Sequence, residues 1–171
     1  DWSSDVCSSD LRQCIIFTNS RLGCAKLARA LERDGIKAGA IHGDKSQGER
    51  TLTLEAFKSG EIEALVATDV AARGLDIPDM PCVINHELPF NAEDFIHRIG
   101  RTGRAGSKGD AIALVDDSEK RLLDDIEKLM KRKLEVAPLP DVKSTLGQIT
   151  DPFFYKPYEP GSAPKSANEI G

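Results

Sequence analysis

The 171 residues carry a formal net charge of -5, with 40% hydrophobic and 30% charged residues, which suits one globular domain with a buried core. No apolar run is long enough to cross a membrane and no basic-then-apolar secretory pattern is visible, so a soluble cytoplasmic protein is expected. The four cysteines, at positions 7, 14, 24 and 82, include no CxxC pair and are too few for a disulfide framework, which excludes structural zinc and a stapled scaffold.

In chain order, residues 1–10 (DWSSDVCSSD) form a low-complexity run with three aspartates and no periodicity, read as a non-native or disordered leader. Cys14 to Thr18 then predicts a first strand. Ser20 is placed to cap a helix that carries Cys24, Leu27, Ala28 and Leu31 on one side and stops at Gly35. A second strand follows over Ala38 to His42, and Ser46 with Glu49 forms an S-x-x-E capping box before a helix carrying Leu52, Ala56 and Phe57 and ending at Gly60. Further strands are expected at Ala64 to Thr68, Cys82 to Asn85 and Ala111 to Val115. The last helix has the clearest period, with Leu122, Ile126, Leu129 and Met130 on one stripe.

The strands are apolar with little alternation, as in parallel strands buried on both faces, and they alternate with helices. The expected fold is therefore α/β: one open parallel sheet flanked by helices, over residues 11–135. From Pro138 onward the chain holds six of its nine prolines, with Phe153, Phe154, Tyr155 and Tyr158 clustered among them. Residues 136–171 are expected to be a mostly unstructured, Pro-rich tail with an aromatic patch.

Ligands of an open parallel sheet bind beyond the carboxyl ends of its strands. Three arginine-bearing, glycine-containing segments fall there: IHGDKSQGER (41–50), ATDVAARGLD (67–76) and HRIGRTGRAG (97–106). The chain has no Gly-Lys dipeptide and so no G-x-x-x-x-G-K-[ST] phosphate cradle. What it offers instead is glycine-flanked arginine, suited to reach across an interface and stabilise charge on a transferring phosphoryl group. Other residues have structural readings. Arg98 reads as a surface ion pair, His42 and His86 as hydrogen-bonded core histidines, Asp44, Glu49 and Asp69 as caps or turn formers, and Cys14, Cys24 and Cys82 as small buried apolar residues.

HGDKSQGER, TDVAARGLD and HRIGRTGR, in that order after IIFTNS, resemble the motifs of the second RecA-like domain of DEAD-box RNA helicases, across roughly residues 12–135. HGDKSQGER and LPFNAEDFIHRIGRTGRAG are most similar to bacterial members. The resemblance implies that Arg101 and Arg104 contact the ATP γ-phosphate, that His97 links this motif to the first domain and that Asp76 reaches the ribose. It also implies sequence-independent RNA backbone contacts by Ser20, Arg21, Gly43, Arg50, Thr68 and Arg73. ATP is then the cofactor, with Mg2+ held by the missing first RecA-like domain of the same parent chain, and the isolated chain is expected to be inactive. The alternative reading is a stand-alone RNA-binding or regulatory module; a related DNA helicase is a third.

Overall fold

The computed structural model describes residues 13–103 and 109–136. Within them five parallel strands, β1 (Cys14–Thr18), β2 (Ala38–Ile41), β3 (Ala64–Thr68), β4 (Cys82–Asn85) and β5 (Asp110–Ala113), form one sheet in the order β2-β3-β1-β4-β5. The helices are α1 (Arg21–Arg33), α2 (Gln47–Lys58), α3 (Asp69–Ala72), α4 (Ala92–Ile99) and α5 (Lys120–Met130). The chain divides after Leu134; Glu135–Gly171 is a second unit in which only residues 135 and 136 are described.

β1 is central. Cys14–Thr18 pairs residue for residue with Ala64–Thr68 on one side, and Cys14–Phe17 with Cys82–Asn85 on the other. Alternate side chains leave opposite faces. Ile15 and Phe17 join Leu65 and Val83 beneath Leu54 and Phe57 of α2, while Ile16 joins Ala64 and Val66 beneath Cys24 and Ala28 of α1. Each fully buried aliphatic or aromatic side chain contributes roughly 1.5–3 kcal/mol, so the three inner strands anchor the sheet.

The local signals set the helix ends. Ser20 caps α1, and Ser46 with Glu49 makes the reciprocal capping box of α2. Gly35 and Gly60 sit just past the helices at φ 88° and 85°, a region that only glycine enters without strain. Three expectations shift. β2 stops at Ile41, and His42 turns away as a buried residue. β5 runs Asp110–Ala113 rather than 111–115; it is the sheet edge, and its burial is partial because it pairs with β4 alone. On α5, Leu129 is 44% exposed, while Leu122, Leu123, Ile126 and Met130 pack with Leu88 and Phe95 of the α4 region.

All strands are parallel, so the loops leaving β1, β2, β3 and β4 emerge at one edge. Arg21, Arg50 and Arg73 gather there, whereas residues 101–102 pair with Met80 ahead of β4 and lie toward the opposite edge, which corrects the expected placement of the third arginine segment.

Candidate functional site

The β1–α1 turn is the first piece of that edge. Ser20, extended at φ -127° and ψ 149°, accepts a hydrogen bond at Oγ from the Gly23 amide at 3.0 Å. A Cβ on residue 23 would stand 2.8 Å from that Oγ, so a larger residue there would have to displace the serine side chain. Arg21 opens the helix, and its Nη1 meets Asp44 Oδ1 at 2.6 Å with both side chains exposed. Asp44 belongs to the β2–α2 turn, where its amide donates to His42 Nδ1 at 3.3 Å. Gly43 lies against the same arginine: a Cβ there would be 3.5 Å from Arg21 Cδ. One turn into α2, Arg50 is half-buried, and its Nε is buried with no hydrogen-bond partner. Desolvating a charged donor without a partner is costly. Glu49 is a cap, as its sequence context indicates, and hydrogen bonds from Ser46 hold its carboxyl below the usual range.

The β3–α3 turn supplies the next piece. Thr68 ends β3 with its side chain buried, so its hydroxyl does not face solvent. α3 is a single turn whose C-cap is Arg73, exposed and bridged to Asp94 of α4. Asp69 opens α3, and here the turn-former reading is corrected: its carboxylate is the main partner of Arg98.

Arg98 is the largest departure from the sequence reading. A structural role is retained, but it is no surface ion pair: the residue is 1% exposed. Nε and Nη2 grip both oxygens of Asp69 at 2.7 and 2.5 Å; Nη1 donates to Asn85 Oδ1 at 3.0 Å and the Glu87 carbonyl at 2.7 Å; Nη2 also donates to Asn19 Oδ1 at 2.7 Å. Below it the guanidinium stacks over Phe17, 5.3 Å from the ring centroid. Only a planar, five-donor fork can satisfy so many partners at once. The loops after β1, β3 and β4 are thus fastened to α4 by one side chain. Asn19 adds two ties of its own, its amide to Glu87 Oε2 at 2.7 Å and its Nδ2 to the Leu88 carbonyl at 2.8 Å. Sequence reasoning missed Asn19, Asp69, Asn85 and Glu87; the available signal was that Arg98 sits three residues after the buried Phe95, on the inward face of α4.

His97, one residue earlier, is exposed on α4. Beyond the helix, Arg101 is half-buried, and its carbonyl accepts from the Met80 amide at 2.8 Å, while Thr102 Oγ1 donates to the Met80 carbonyl. This pairing sets the start of the arginine loop against the segment that carries Asp76, whose carboxylate is fully exposed and 3.6 Å from Lys58 Nζ. Gly103 has φ 66°, and a Cβ at Gly109 would overlap Thr102 Oγ1 at 1.8 Å, so both ends of the loop require glycine. Arg104 lies outside the described residues, as do the leader and the aromatic tail.

The structure therefore brings Ser20, Arg21 and Gly43 together, puts Thr68 and Arg73 at the end of a neighbouring strand, and sets Asp76 and Arg101 on paired segments. His86 is corrected to an exposed residue, while His42 is buried. Burial pushes the Cys14 and Cys24 thiols up to about 11 and Cys82 to about 12, so they remain protonated packing groups. Among the described residues no cluster of His, Cys, Asp or Glu could hold a metal ion, and no helix is long and apolar enough to cross a membrane.

Residues 4–106 match the helicase conserved C-terminal domain. The ATP-dependent RNA helicase DBP2 of Debaryomyces hansenii is 46% identical over 126 residues, which cover 74% of this chain and 24% of that protein. The chain spans about a quarter of the length of the curated relatives it matches. Among solved structures, the E. coli DEAD-box protein SrmB, bound to regulator of ribonuclease activity A, superposes with a TM-score of 0.69 at 38% identity, covering 74% of this chain and 75% of that one. The S. cerevisiae Dbp5, bound to RNA and ADP BeF3, gives 0.64 at 36% identity, covering 70% and 32%. The fastened strand-end loops, the motif order and these likenesses agree: the chain belongs to the helicase conserved C-terminal domain family, as a second RecA-like domain of the DEAD-box kind.

Proposed function

We propose that this domain supplies arginine fingers and part of the RNA-binding surface to a two-domain, ATP-dependent RNA-unwinding motor. The observation that carries the reading is Arg98: one buried guanidinium fastens the loops bearing Arg21 and Arg73 to the helix that leads into Arg101. RNA contact and phosphate contact then sit on one rigid piece. The protein whose solved structure holds both RNA and ADP BeF3 shares this fold, which supports pairing the two ligands here.

The residues present fit part of a nucleotide. Half-buried Arg101, with Arg104 beyond it, would meet the γ-phosphate, and the open carboxylate of Asp76 would accept from ribose hydroxyls. They do not make a phosphate cradle, since no Gly-Lys occurs; that cradle and Mg2+ are assigned to a first RecA-like domain of the same parent chain. ATP, when bound, supplies the phosphoryl group whose transfer drives the cycle. The arginines' part is to place positive charge where negative charge develops, and His97, exposed on α4, faces the first domain. Ser20 and Arg21 at the N-terminus of α1, with Gly43, Arg50, Thr68 and Arg73, are proposed to contact the sugar-phosphate backbone, so binding is indifferent to sequence. Thr68, buried at the end of β3, would act through its backbone. The wording of HGDKSQGER and LPFNAEDFIHRIGRTGRAG supports a bacterial origin.

The purified chain is expected to show no ATP hydrolysis and no unwinding. With a first domain supplied, Arg101→Ala or Arg104→Ala should lower turnover by ~10²-fold or more with the fold intact. RNA-stimulated, magnesium-dependent hydrolysis by the chain alone would overturn the division of labour.

A further inference from the structure

α3 and α4 are joined twice by the same chemistry in crossed order. At α3 an acid precedes an arginine by four residues, Asp69 at its start and Arg73 at its C-cap; on α4 the same spacing recurs in Asp94 and Arg98. That spacing keeps each pair on one side of its helix. Across the gap, Asp69 holds Arg98 and Asp94 holds Arg73. The two halves differ in setting. Arg98 is buried and engages five acceptor contacts, whereas the Arg73 side chain is 61% exposed and bonds Asp94 through Nη2.

We infer that the exposed half is a latch opened by RNA: Asp94 competes with the RNA backbone phosphate for the guanidinium of Arg73. The inference rests on the RNA-contact reading of Arg73. Carboxylate and phosphodiester each present two anionic oxygens that accept from the same guanidinium N–H donors, so one displaces the other. The pair is open to solvent on its arginine side, 61% exposed against 25% for Asp94, so a phosphate reaches the guanidinium directly and exchange is easy. The buried half keeps α3 and α4 joined while the latch is open. Released Asp94 lies in the first turn of α4, where the helix dipole favours negative charge, so it does not drive the helix to rearrange. Arrival of RNA at Arg73 thereby changes the charge state of the surface of the same helix that leads to His97 and Arg101. Asp94 sets how strongly the resting domain holds RNA.

The test is fluorescence anisotropy of the 171-residue chain with a fluorescein-labelled oligouridylate at low salt, with melting curves for each variant. Asp94→Asn is expected to bind about two- to fivefold tighter than wild type, the span that an exposed ion pair covers. The gain should vanish in an Arg73→Ala background, and Glu93→Gln, which removes the same charge one residue earlier, should fall well short of it. Should Asn loosen the α4 start, Asp94→Ser removes the same carboxylate with a residue that suits helix N-termini, and the same tightening is expected. Measurable wild-type binding that neither Asp94 variant improves removes the latch and leaves the RNA reading standing. An equal gain from Glu93→Gln, or one that survives Arg73→Ala, also removes it, since general charge would then be the cause. A wild-type chain with no salt-sensitive RNA binding removes the RNA reading itself, and the latch with it.

Discussion

Arg98 and Arg73 meet the same kind of partner, an aspartate on a neighbouring helix, yet one is sealed under three loops and the other stands in solvent. Burial decides what each contact is for. In the interior a charge persists only when every donor is met, so Arg98 dictates where Asn19, Asp69, Asn85 and Glu87 must be, and those positions define the strand-end loops. At the surface, water and salt weaken the ion pair to the point where a ligand phosphate competes with it. The domain uses the first kind of arginine to build the site and the second kind to serve it.

The contrast breaks most sharply at Asp69. Asp69→Ala leaves a buried guanidinium without its carboxylate and should cost about 3–5 kcal/mol of stability, read by urea unfolding at neutral pH. A loss near that of a surface change would mean that Arg98 finds water or another acceptor, and the distinction between the two arginines would dissolve. The exposed set should answer in binding instead. Arg50→Ala combined with Arg73→Ala is expected to weaken oligouridylate binding by about tenfold and to flatten the log-log salt slope by about 1.4, as two lost phosphate contacts on a single strand imply. An unchanged slope would show that these residues touch no phosphate. The smallest effect should come from the Arg21–Asp44 pair: Arg21→Met is expected to change stability by less than about 1 kcal/mol, because both partners are exposed. A larger loss would place Arg21 with Arg98 among the structural arginines.

Legibility followed the range of the interaction. The Ser46–Glu49 box, the Ser20 cap and the glycine stops depend on neighbours within a few residues, and they stand where the sequence puts them. β1, β3 and β4 were readable because both of their faces are buried, which leaves an unbroken apolar run. β5 was misjudged by two residues at its end because an edge strand is bounded by its one partner rather than by its own hydrophobicity. Leu129 fits the period of α5, yet Leu123 takes the packed position, since the face of a helix is chosen by what covers it. Of the candidate site, the arginines were visible as residues but their environments were not. Arg98 reaches partners 11, 13, 29 and 79 residues away, a set that exists only once the sheet has assembled. The same holds for Asp94, whose pairing with Arg73 spans 21 residues and had no local signature.

The most direct test of the account compares the thermal midpoints of Arg98→Met and Arg73→Met, two changes that remove the same charge and keep a similar apolar stem. The Arg98 variant should lose about 10 °C or more, or fail to fold, while Arg73→Met stays within roughly 3 °C of wild type. Equal shifts in the two variants would contradict it, because a buried arginine that builds the site and an exposed one that serves it cannot contribute alike to stability.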